Sequence, residues 1–199
     1  MQRPMHNTRM CKTIEEFERK LVAHCAPALA GLKSANLFRL HKCSAADVQA
    51  WANHYDAQMR SRGVRLRVLY QSGENALVYV YRPGRLLQDI KSPAVAAFLA
   101  AHGYGGWITA ENALDNLCAR IRLEKEFPHE IGLFLGYPLH DVMGFIANRG
   151  RNYCCSGCWK VYEDAGCALR RFARYRKCRE IYLRNYDRGK NVLQLTIAA

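Results

Sequence analysis

Apolar side chains recur every three to four residues near the start of the chain and every second residue soon afterwards. Thr13 and Glu16 have the spacing of a capping box, in which two side chains satisfy free backbone amides at a helix start, and residues 17–22 continue at helical spacing. We therefore predict a helix from Thr13. Pro27 should break or restart it, because proline lacks an amide donor, and Gly31 is its expected C-cap.

After the first helix, segments with the two-residue period of strands alternate with a segment of helical period. Residues 35–40 are a short extended segment, and residues 44–63 have the capping serine and apolar face of a second helix. Residues 64–70 alternate apolar and basic side chains as a half-buried strand does. After a turn at residues 71–75, the apolar run 76–82 predicts a second strand, so the two form a hairpin.

The second half of the chain is richer in helical patterns. Ser92 followed by Pro93 is typical of a helix start, and Thr109 is a typical N-cap residue. The predicted helices cover roughly residues 92–103, 109–125, 128–136, 138–146 and 164–187, and the predicted strands cover 159–162 and 192–197.

These elements predict the fold class. The strands are not separated by regular single helices, so a doubly wound parallel sheet is not expected. We predict an α+β fold in which a small, mostly antiparallel sheet is packed by about seven helical segments. Residues 13–199 are expected to form a single domain after a flexible N-terminus at residues 1–12.

Charge narrows the choice of partners. The formal net charge is +13, which favours contact with anions such as phosphorylated ligands or nucleic acid. No run approaches the roughly 20 apolar residues that span a bilayer, and the first residues lack the apolar core of a signal peptide. We expect a cytoplasmic protein whose nine cysteines are thiols or ligands. The sequence predicts neither a particular cofactor nor an oligomeric state.

Four stretches of the sequence resemble a known family. They are HCAPALAGLKSANLF (24–38), LVYVYRP (77–83), FPHEIGLFLGYPLHDVMGFI (127–146) and CWKVY (158–162). Together they resemble a bacterial family described only as a domain of unknown function, and the resemblance covers nearly the whole chain. It implies no activity, substrate or catalytic residue, so function has to be argued from the residues.

Cys155 and Cys158 have the CxxC spacing that lets two thiolates bind one metal ion. Cys167 and Cys178 would have to complete such a site, but their spacing is not that of a second metal-binding pair. A redox-active CxxC would precede a helix, whereas the residues after Cys158 predict a strand. We favour ordinary thiols, with metal binding and redox chemistry as the alternatives.

Cys25 lies just before the helix start expected at Pro27, with His24 beside it in sequence. A helix start lowers the pKa of a nearby thiol, so Cys25 is a candidate nucleophile or ligand. The alternative is a thiol that simply packs at a helix break.

Two histidine–acid pairs, His129–Glu130 and His140–Asp141, lie near the starts of two short helical segments. Capping of the helix starts would account for both acids. The histidines have no capping role, so the pairs are candidates for general acid–base chemistry, with His140 also a candidate metal ligand.

The last predicted helix supplies much of the positive charge. Its aromatic residues have the spacing of a buried stripe, which leaves the basic residues exposed. We predict an anion-binding surface of Arg170, Arg171, Arg174, Arg176 and Lys177. The alternative is a solvated basic face with no ligand.

The leading hypothesis combines these candidates in one site for a small anionic or metal-containing ligand. Cys25 would be the nucleophile or ligand, His129 the base or ligand, and Glu130 the residue that orients His129. One alternative is a nucleic-acid-binding module that uses the arginine-rich helix. Another is a metal or redox accessory protein that uses Cys155 and Cys158. The sequence does not decide whether the protein is an enzyme.

Overall fold

The computed structural model describes residues 13–106, 109–123 and 127–198. Within these residues it contains nine helices and five strands. The helices are α1 (Ile14–Leu29), α2 (Ala45–Met59), α3 (Pro83–Lys91), α4 (Pro93–Ala101), α5 (Ala110–Leu123), α6 (Ile131–Phe134), α7 (Leu139–Ala147), α8 (Ala165–Asp187) and α9 (Val192–Leu195). The strands are β1 (Ala35–Leu40), β2 (Arg65–Ser72), β3 (Asn75–Tyr81), β4 (Cys155–Ser156) and β5 (Lys160–Val161). The α+β prediction is confirmed.

The helix starts follow the capping chemistry of the sequence. The Thr13 hydroxyl accepts a hydrogen bond from the Glu16 amide at 3.2 Å, and the Ser44 hydroxyl accepts one from the Asp47 amide at 3.1 Å. The predicted break at Pro27 is wrong, because α1 continues through it to Leu29. A proline this close to the end of a helix removes one hydrogen bond of the last turn and leaves the preceding turns intact.

The main sheet has the order β1-β3-β2, and both strand pairs are antiparallel. Strand β3 is in the middle, so residues 76–81 are buried on both faces. One face, with Phe38, Val78 and Val80, packs against α1 and α2 in a first hydrophobic cluster. The other face, with Tyr79 and Tyr81, is covered by α3 to α7 in a second cluster. The sheet is therefore the middle of three layers.

The C-terminal part of the chain adds a second surface to this core. Helix α8 packs along α1, and the β4–β5 hairpin packs against α8 in a third small cluster around Trp159. The Trp159 ring stacks on Tyr137 with centroids 4.9 Å apart and meets Phe172 edge-on at 4.5 Å. These rings join α8 to the turn between α6 and α7. None of the helices described has the length and apolar character that crossing a membrane requires.

Two helices differ from the sequence prediction. Helix α3 was not predicted from the sequence, and Pro83 occupies its first position, where its missing amide does no harm. The predicted closing strand at residues 192–197 is wrong, because a capping box between Asn191 and Gln194 starts the short helix α9. The predicted flexible segment, residues 1–12, and the predicted helix end at Lys125 lie outside the described residues.

Candidate anion-binding cleft

A cleft lies between the end of α1 and β1 on one side and α8 on the other. It consists of two cavities of about 380 and 360 Å³, both bordered by Lys33 and Tyr175. We call it the basic cleft. Its basic side chains are Lys33, Arg85, Arg171, Arg174, Arg176 and Arg179. Asp89 is the one carboxylate among the described residues that line it, so positive charge dominates its walls.

The position of Lys33 follows from the way α1 ends. The amides of Leu32 and Lys33 both donate to the Pro27 carbonyl, at 2.8 and 3.2 Å, and Gly31 takes the left-handed conformation with φ of +66°. A glycine adopts this conformation without the steric penalty of a side chain. The chain therefore reverses within a few residues and directs Lys33 towards the interior before β1 begins.

Lys33 is an unusual buried cation, since only 6% of its surface is exposed. Its Nζ lies 4.7 Å from the centroid of the Tyr137 ring, the cation–π arrangement. Within the described part of the chain, this ammonium group has no carboxylate partner and no hydrogen-bond acceptor. Burial lowers the pKa of Lys33 to about 8, because the charged form loses part of its hydration.

The arginines of α8 divide into two groups. Arg171 and Arg174 line the first cavity, whereas Arg176 and Arg179 line the second. The other predicted anion-binding residues, Arg170 and Lys177, are exposed but line neither cavity. None of these six side chains forms an ion pair with a carboxylate of the described residues.

Aromatic side chains of α8 pack towards the β4–β5 hairpin, and the arginines of this helix remain exposed. Phe172 and Tyr175 face inwards from α8 and are partly buried beside Trp159, as the helical spacing predicted. A side chain at Gly157 would meet Phe172, since an added Cβ would lie 2.3 Å from its ring. Glycine therefore lets the β4–β5 turn approach α8 closely, which sets the position of the cleft wall.

The hairpin and the α6–α7 turn form the far wall of the second cavity. The Tyr137 hydroxyl donates to the Cys158 carbonyl at 3.1 Å, so Tyr137 is held between Lys33 and the hairpin. The Cys158 thiol lines the same cavity. Burial raises the pKa of Cys158, while the positive charges of Lys33 and Arg179 act in the opposite direction.

The rim of the first cavity carries its one carboxylate. The Ser34 hydroxyl donates to Asp89, and the Arg85 guanidinium donates to the Gly31 carbonyl. Gly136, with φ of +70°, brings the α6–α7 turn so close that a Cβ there would lie 3.4 Å from Asp89 Oδ2. Because Asp89 is hydrogen-bonded to Ser34, its charge is partly compensated locally, and the arginines opposite remain available to a ligand.

The structure does not assemble the predicted site of Cys25, His129 and Glu130. Cys25 lies within α1 with no exposed surface, packed in the first hydrophobic cluster. Burial raises the pKa of its thiol well above the usual range, the opposite of the helix-start effect expected from the sequence. That effect does not arise because α1 continues through Pro27. His24 is exposed and lines the second cavity of the basic cleft.

Glu130 and His129 are neighbours in sequence that face different surroundings. The buried Glu130 carboxylate accepts hydrogen bonds from Arg120 Nε at 3.1 Å and the Tyr104 hydroxyl at 3.2 Å. The exposed His129 meets the Phe145 ring at 4.9 Å and lines a separate cavity of about 280 Å³. Neither Cys25 nor Glu130 lines that cavity, so the predicted roles of base and orienting residue have no shared geometry.

The two residues of the second histidine–acid pair, His140 and Asp141, also have different surroundings. Asp141 is 2% exposed, and its carboxylate accepts hydrogen bonds from Trp159 Nε1 and the Tyr162 amide, both at 2.7 Å. Asp141 lies in the first turn of α7, as the helix-start explanation expected, but the hydrogen bonds of its carboxylate go to the β4–β5 hairpin. His140 Nε2 lies 3.7 Å from the same carboxylate at the surface.

Cys155 and Cys158 lie on either side of the β4–β5 turn, not before a helix, as the sequence indicated. Cys155 is partly buried in β4, and Cys158 is exposed at the cleft. Among the described residues, no group of three or more histidine, cysteine or acidic side chains is arranged to hold a metal ion. His140 joins no such group.

Sequence reasoning missed Lys33, the central residue of the cleft. The signal was present: Lys33 is a single charged residue between Gly31 and the apolar strand β1, in the stretch HCAPALAGLKSANLF. It also missed Arg85 and Arg179, which line the cleft. Tyr137 was quoted only within the stretch FPHEIGLFLGYPLHDVMGFI, and nothing local in the sequence places it over Lys33.

Comparison with known proteins gives one match. A family model with the description "Protein of unknown function (DUF3793)" matches residues 21–196. No curated protein and no solved structure matches the chain. The matched range runs from α1 to α9 and so contains the whole basic cleft. The chain therefore belongs to this family of proteins of unknown function.

Proposed function

We propose that the protein binds a small anionic ligand, one that carries a phosphate or carboxylate group, in the basic cleft. The observation that carries the proposal is the largely buried Lys33, which has no carboxylate partner among the described residues and lies between two cavities that arginines line. A buried cation without a counter-charge destabilises the folded protein, and a bound anion would remove that penalty.

The size and chemistry of the cleft agree with this ligand class. Each cavity is within the range of small-molecule sites, which are roughly 300–1,000 Å³. Arginine binds phosphate and carboxylate through paired N–H groups, so Arg171 and Arg174 suit an oxyanion better than a neutral ligand. Tyr137 and Tyr175 supply apolar faces for the rest of the ligand.

The test compares two double substitutions that remove the same charge from the same helix. Arg171→Gln with Arg174→Gln changes the cleft, and Arg170→Gln with Lys177→Gln changes exposed residues outside it. Binding of inorganic pyrophosphate is measured by calorimetry at fixed ionic strength. We expect the cleft pair to weaken binding about ten-fold or more, since each charge-assisted hydrogen bond contributes about 1.5–3 kcal/mol, and the outer pair to have little effect.

Equal losses in the two double variants would mean that pyrophosphate responds only to the overall charge of α8, and the proposal would fail. Absence of pyrophosphate binding to the wild type would also count against it. A short single-stranded DNA that binds tightly, with a steep salt dependence and equal sensitivity to both pairs, would instead support the nucleic-acid alternative. One equivalent of zinc or iron in purified protein would support the metal accessory alternative.

A further inference from the structure

Lys33 has the surroundings of an amine that reacts with carbonyl compounds. Its side chain borders both cavities of the basic cleft, so a ligand in either one meets it. We propose that Lys33 forms an imine with a small aldehyde or ketone that also carries a phosphate or carboxylate group. This inference rests on the proposed anion binding and names the class of compound that the cleft would take.

The arrangement separates the reacting amine from the anion-binding groups. Arg171 and Arg174 line one cavity and Arg176 and Arg179 the other, while Lys33 lies between them. An anionic group held by the arginines would therefore leave the remainder of a small molecule directed at the amine. Such positioning turns a bimolecular reaction into one between neighbouring groups.

The lowered pKa of the Lys33 amine supports its role as a nucleophile. Burial lowers the pKa of Lys33 to about 8, and a lysine that is desolvated in an apolar pocket is the usual form of an amine nucleophile. The neutral fraction at pH 7 is then about a tenth, on the order of a hundred times that of an exposed lysine. The Tyr137 ring and the side chains of Leu37 and Leu135 keep water from part of the pocket.

The Cys158 and Cys25 thiols act to raise the pKa of Lys33, but the effect of burial is larger and lowers it. On α1, the pKa of the Cys25 thiol is raised by burial, and His24 lies at the rim. On the hairpin, burial raises the pKa of Cys158. The Tyr137 hydroxyl, whose pKa burial also raises, is already donating to the Cys158 carbonyl.

The remaining charged groups come from α3 and α8. Asp89 accepts from Ser34, and the α8 groups that line the cleft are the four arginines and Tyr175, whose pKa burial raises. Arg85 on α3 also lines the cleft, and burial remains the largest influence on the pKa of Lys33.

The reaction balances without a further reagent. The neutral Nζ of Lys33 adds to the carbonyl carbon, forming a C–N bond, and one N–H proton moves to the oxygen to give a carbinolamine. The C–O bond then breaks, the oxygen leaves as water with a second proton, and a C=N bond remains. Protonation of the imine from solvent gives an iminium ion. No oxidant or reductant takes part.

The experiment uses the full-length protein and two matched aldehydes, pyridoxal 5′-phosphate and pyridoxal, which differ in the phosphate group. Each is incubated with the protein, the imine is reduced with cyanoborohydride, and the modified lysines are located by peptide mass mapping. Pyruvate serves as a third probe that carries a carboxylate. Lys177 is the internal control, because it is exposed on α8 and lines neither cavity of the basic cleft.

We expect pyridoxal 5′-phosphate to modify Lys33 at least about ten times faster than Lys177, with a rate that rises through the pH range near the pKa of Lys33, about 8. Pyridoxal should show a smaller preference. Pyrophosphate should protect Lys33, and the Arg171→Gln, Arg174→Gln variant should lose most of the preference. Preferential modification by pyruvate would point to a carboxylate ligand, and its absence to a phosphate ligand.

Equal modification of Lys33 and Lys177 by all three probes would overturn the imine. If the same protein still binds pyrophosphate in the cleft, anion binding stands and only the covalent step fails. If Lys33 reacts equally well with pyridoxal and its phosphate, the anionic substrate class is wrong. If neither pyrophosphate binding nor selective modification is found, the proposed function fails with the inference.

Discussion

The Asp141 carboxylate and the Trp159 indole form a buried hydrogen bond, with Oδ2 and Nε1 2.7 Å apart. The other carboxylate oxygen accepts from the backbone amides of Tyr162 and Glu163, at 2.7 and 3.3 Å. One side chain on α7 thus holds the β4–β5 hairpin through three donors. Since the hairpin carries the Cys158 wall of the basic cleft, Asp141 positions that wall without entering it.

We expect Asp141→Asn to lower the free energy of unfolding by about 2–4 kcal/mol. In asparagine an NH2 group replaces one carboxylate oxygen. Because this group is a donor, at least one of the three donors to Asp141 loses its acceptor, and a buried unpaired donor costs about 1–3 kcal/mol. Glu163→Gln is the matched control, because this carboxylate is exposed, and it should change stability by less than about 0.5 kcal/mol. Urea unfolding measures both variants, and similar values for the two would contradict the assigned role.

Buried Arg82 connects its own segment of the chain to the end of α1 and to the segment after α9. Its guanidinium donates to the carbonyls of Ala28, Leu29 and Ile197, each at 2.7 Å. Arg82→Met would remove three hydrogen bonds from a charged donor, although the Ala28 and Leu29 carbonyls keep those from the Gly31 and Ile197 amides. We expect a loss of about 3 kcal/mol in the free energy of unfolding. Arg39→Met, at an exposed position of β1, is the control and should have little effect. A mild phenotype for Arg82→Met would show that water replaces the guanidinium.

Local chemistry explains which parts of the fold the sequence predicted. Residues 35–40 and the β2–β3 hairpin form the predicted strands, because alternating or continuous apolar runs between turn residues bury well only in a sheet. The strand predicted at residues 192–197 was wrong because so short an apolar run fits either a strand or one helical turn, and the Asn191–Gln194 capping box favours the turn. The helix through Pro27 depends on tertiary packing of α1 against β1 and α8, which the pattern does not contain.

The candidate site was less predictable than the fold. Arg171, Arg174 and Arg176 could be assigned to an exposed helix face from spacing alone, and they line the cleft. Lys33 becomes special only because Tyr137, about a hundred residues away in sequence, covers it. Cys25 was misjudged because a helix break was expected at Pro27. A break would have placed its thiol at a helix start, whereas the continuous α1 places it in the core.

The cysteines should react in an order opposite to the one expected from the sequence. Cys154 and Cys158 are exposed, whereas Cys25 is fully buried and its pKa is raised. Among the described cysteines, we expect limiting iodoacetamide at neutral pH to label Cys154 first and Cys25 last, because alkylation requires an accessible thiolate. Cys158 should follow Cys154, since burial raises its pKa. Peptide mass mapping of a time course gives the order. Early labelling of Cys25 in folded protein would show that α1 opens at Pro27.

Lys33→Met should stabilise the protein at pH 7 while it weakens anion binding. Methionine has a similar length without the charge, so the variant removes a largely buried cation that has no carboxylate partner among the described residues. We expect a gain of about 1–3 kcal/mol in the free energy of unfolding, measured in urea without added anions. Lys177→Met, at an exposed position, is the control for loss of one charge. Pyrophosphate should bind Lys33→Met more weakly than either the wild type or this control.

The stability difference between the wild type and Lys33→Met should also depend on pH. The pKa of Lys33 is lowered to about 8 in the folded protein, from an ordinary value of 10.5. Below pH 8 both states are protonated, and the folded state carries the full penalty of the buried charge. Between pH 8 and 10.5 the folded state loses its proton while the unfolded state keeps it, so wild-type stability rises relative to the variant, by about 3 kcal/mol at most.

Urea unfolding of both proteins at intervals from pH 7 to 10.5 gives this difference, and titration of the tyrosines cancels because both proteins contain them. Cys158→Ser with and without Lys33→Met repeats the comparison, so that the thiol facing Lys33 cannot account for the result. We expect the advantage of Lys33→Met to shrink steadily as the pH rises, and added pyrophosphate at pH 7 to shrink it as well, because a bound anion stabilises the charged amine. A difference that stays constant with pH would mean that Lys33 keeps an ordinary pKa and that its ammonium is solvated in the cleft.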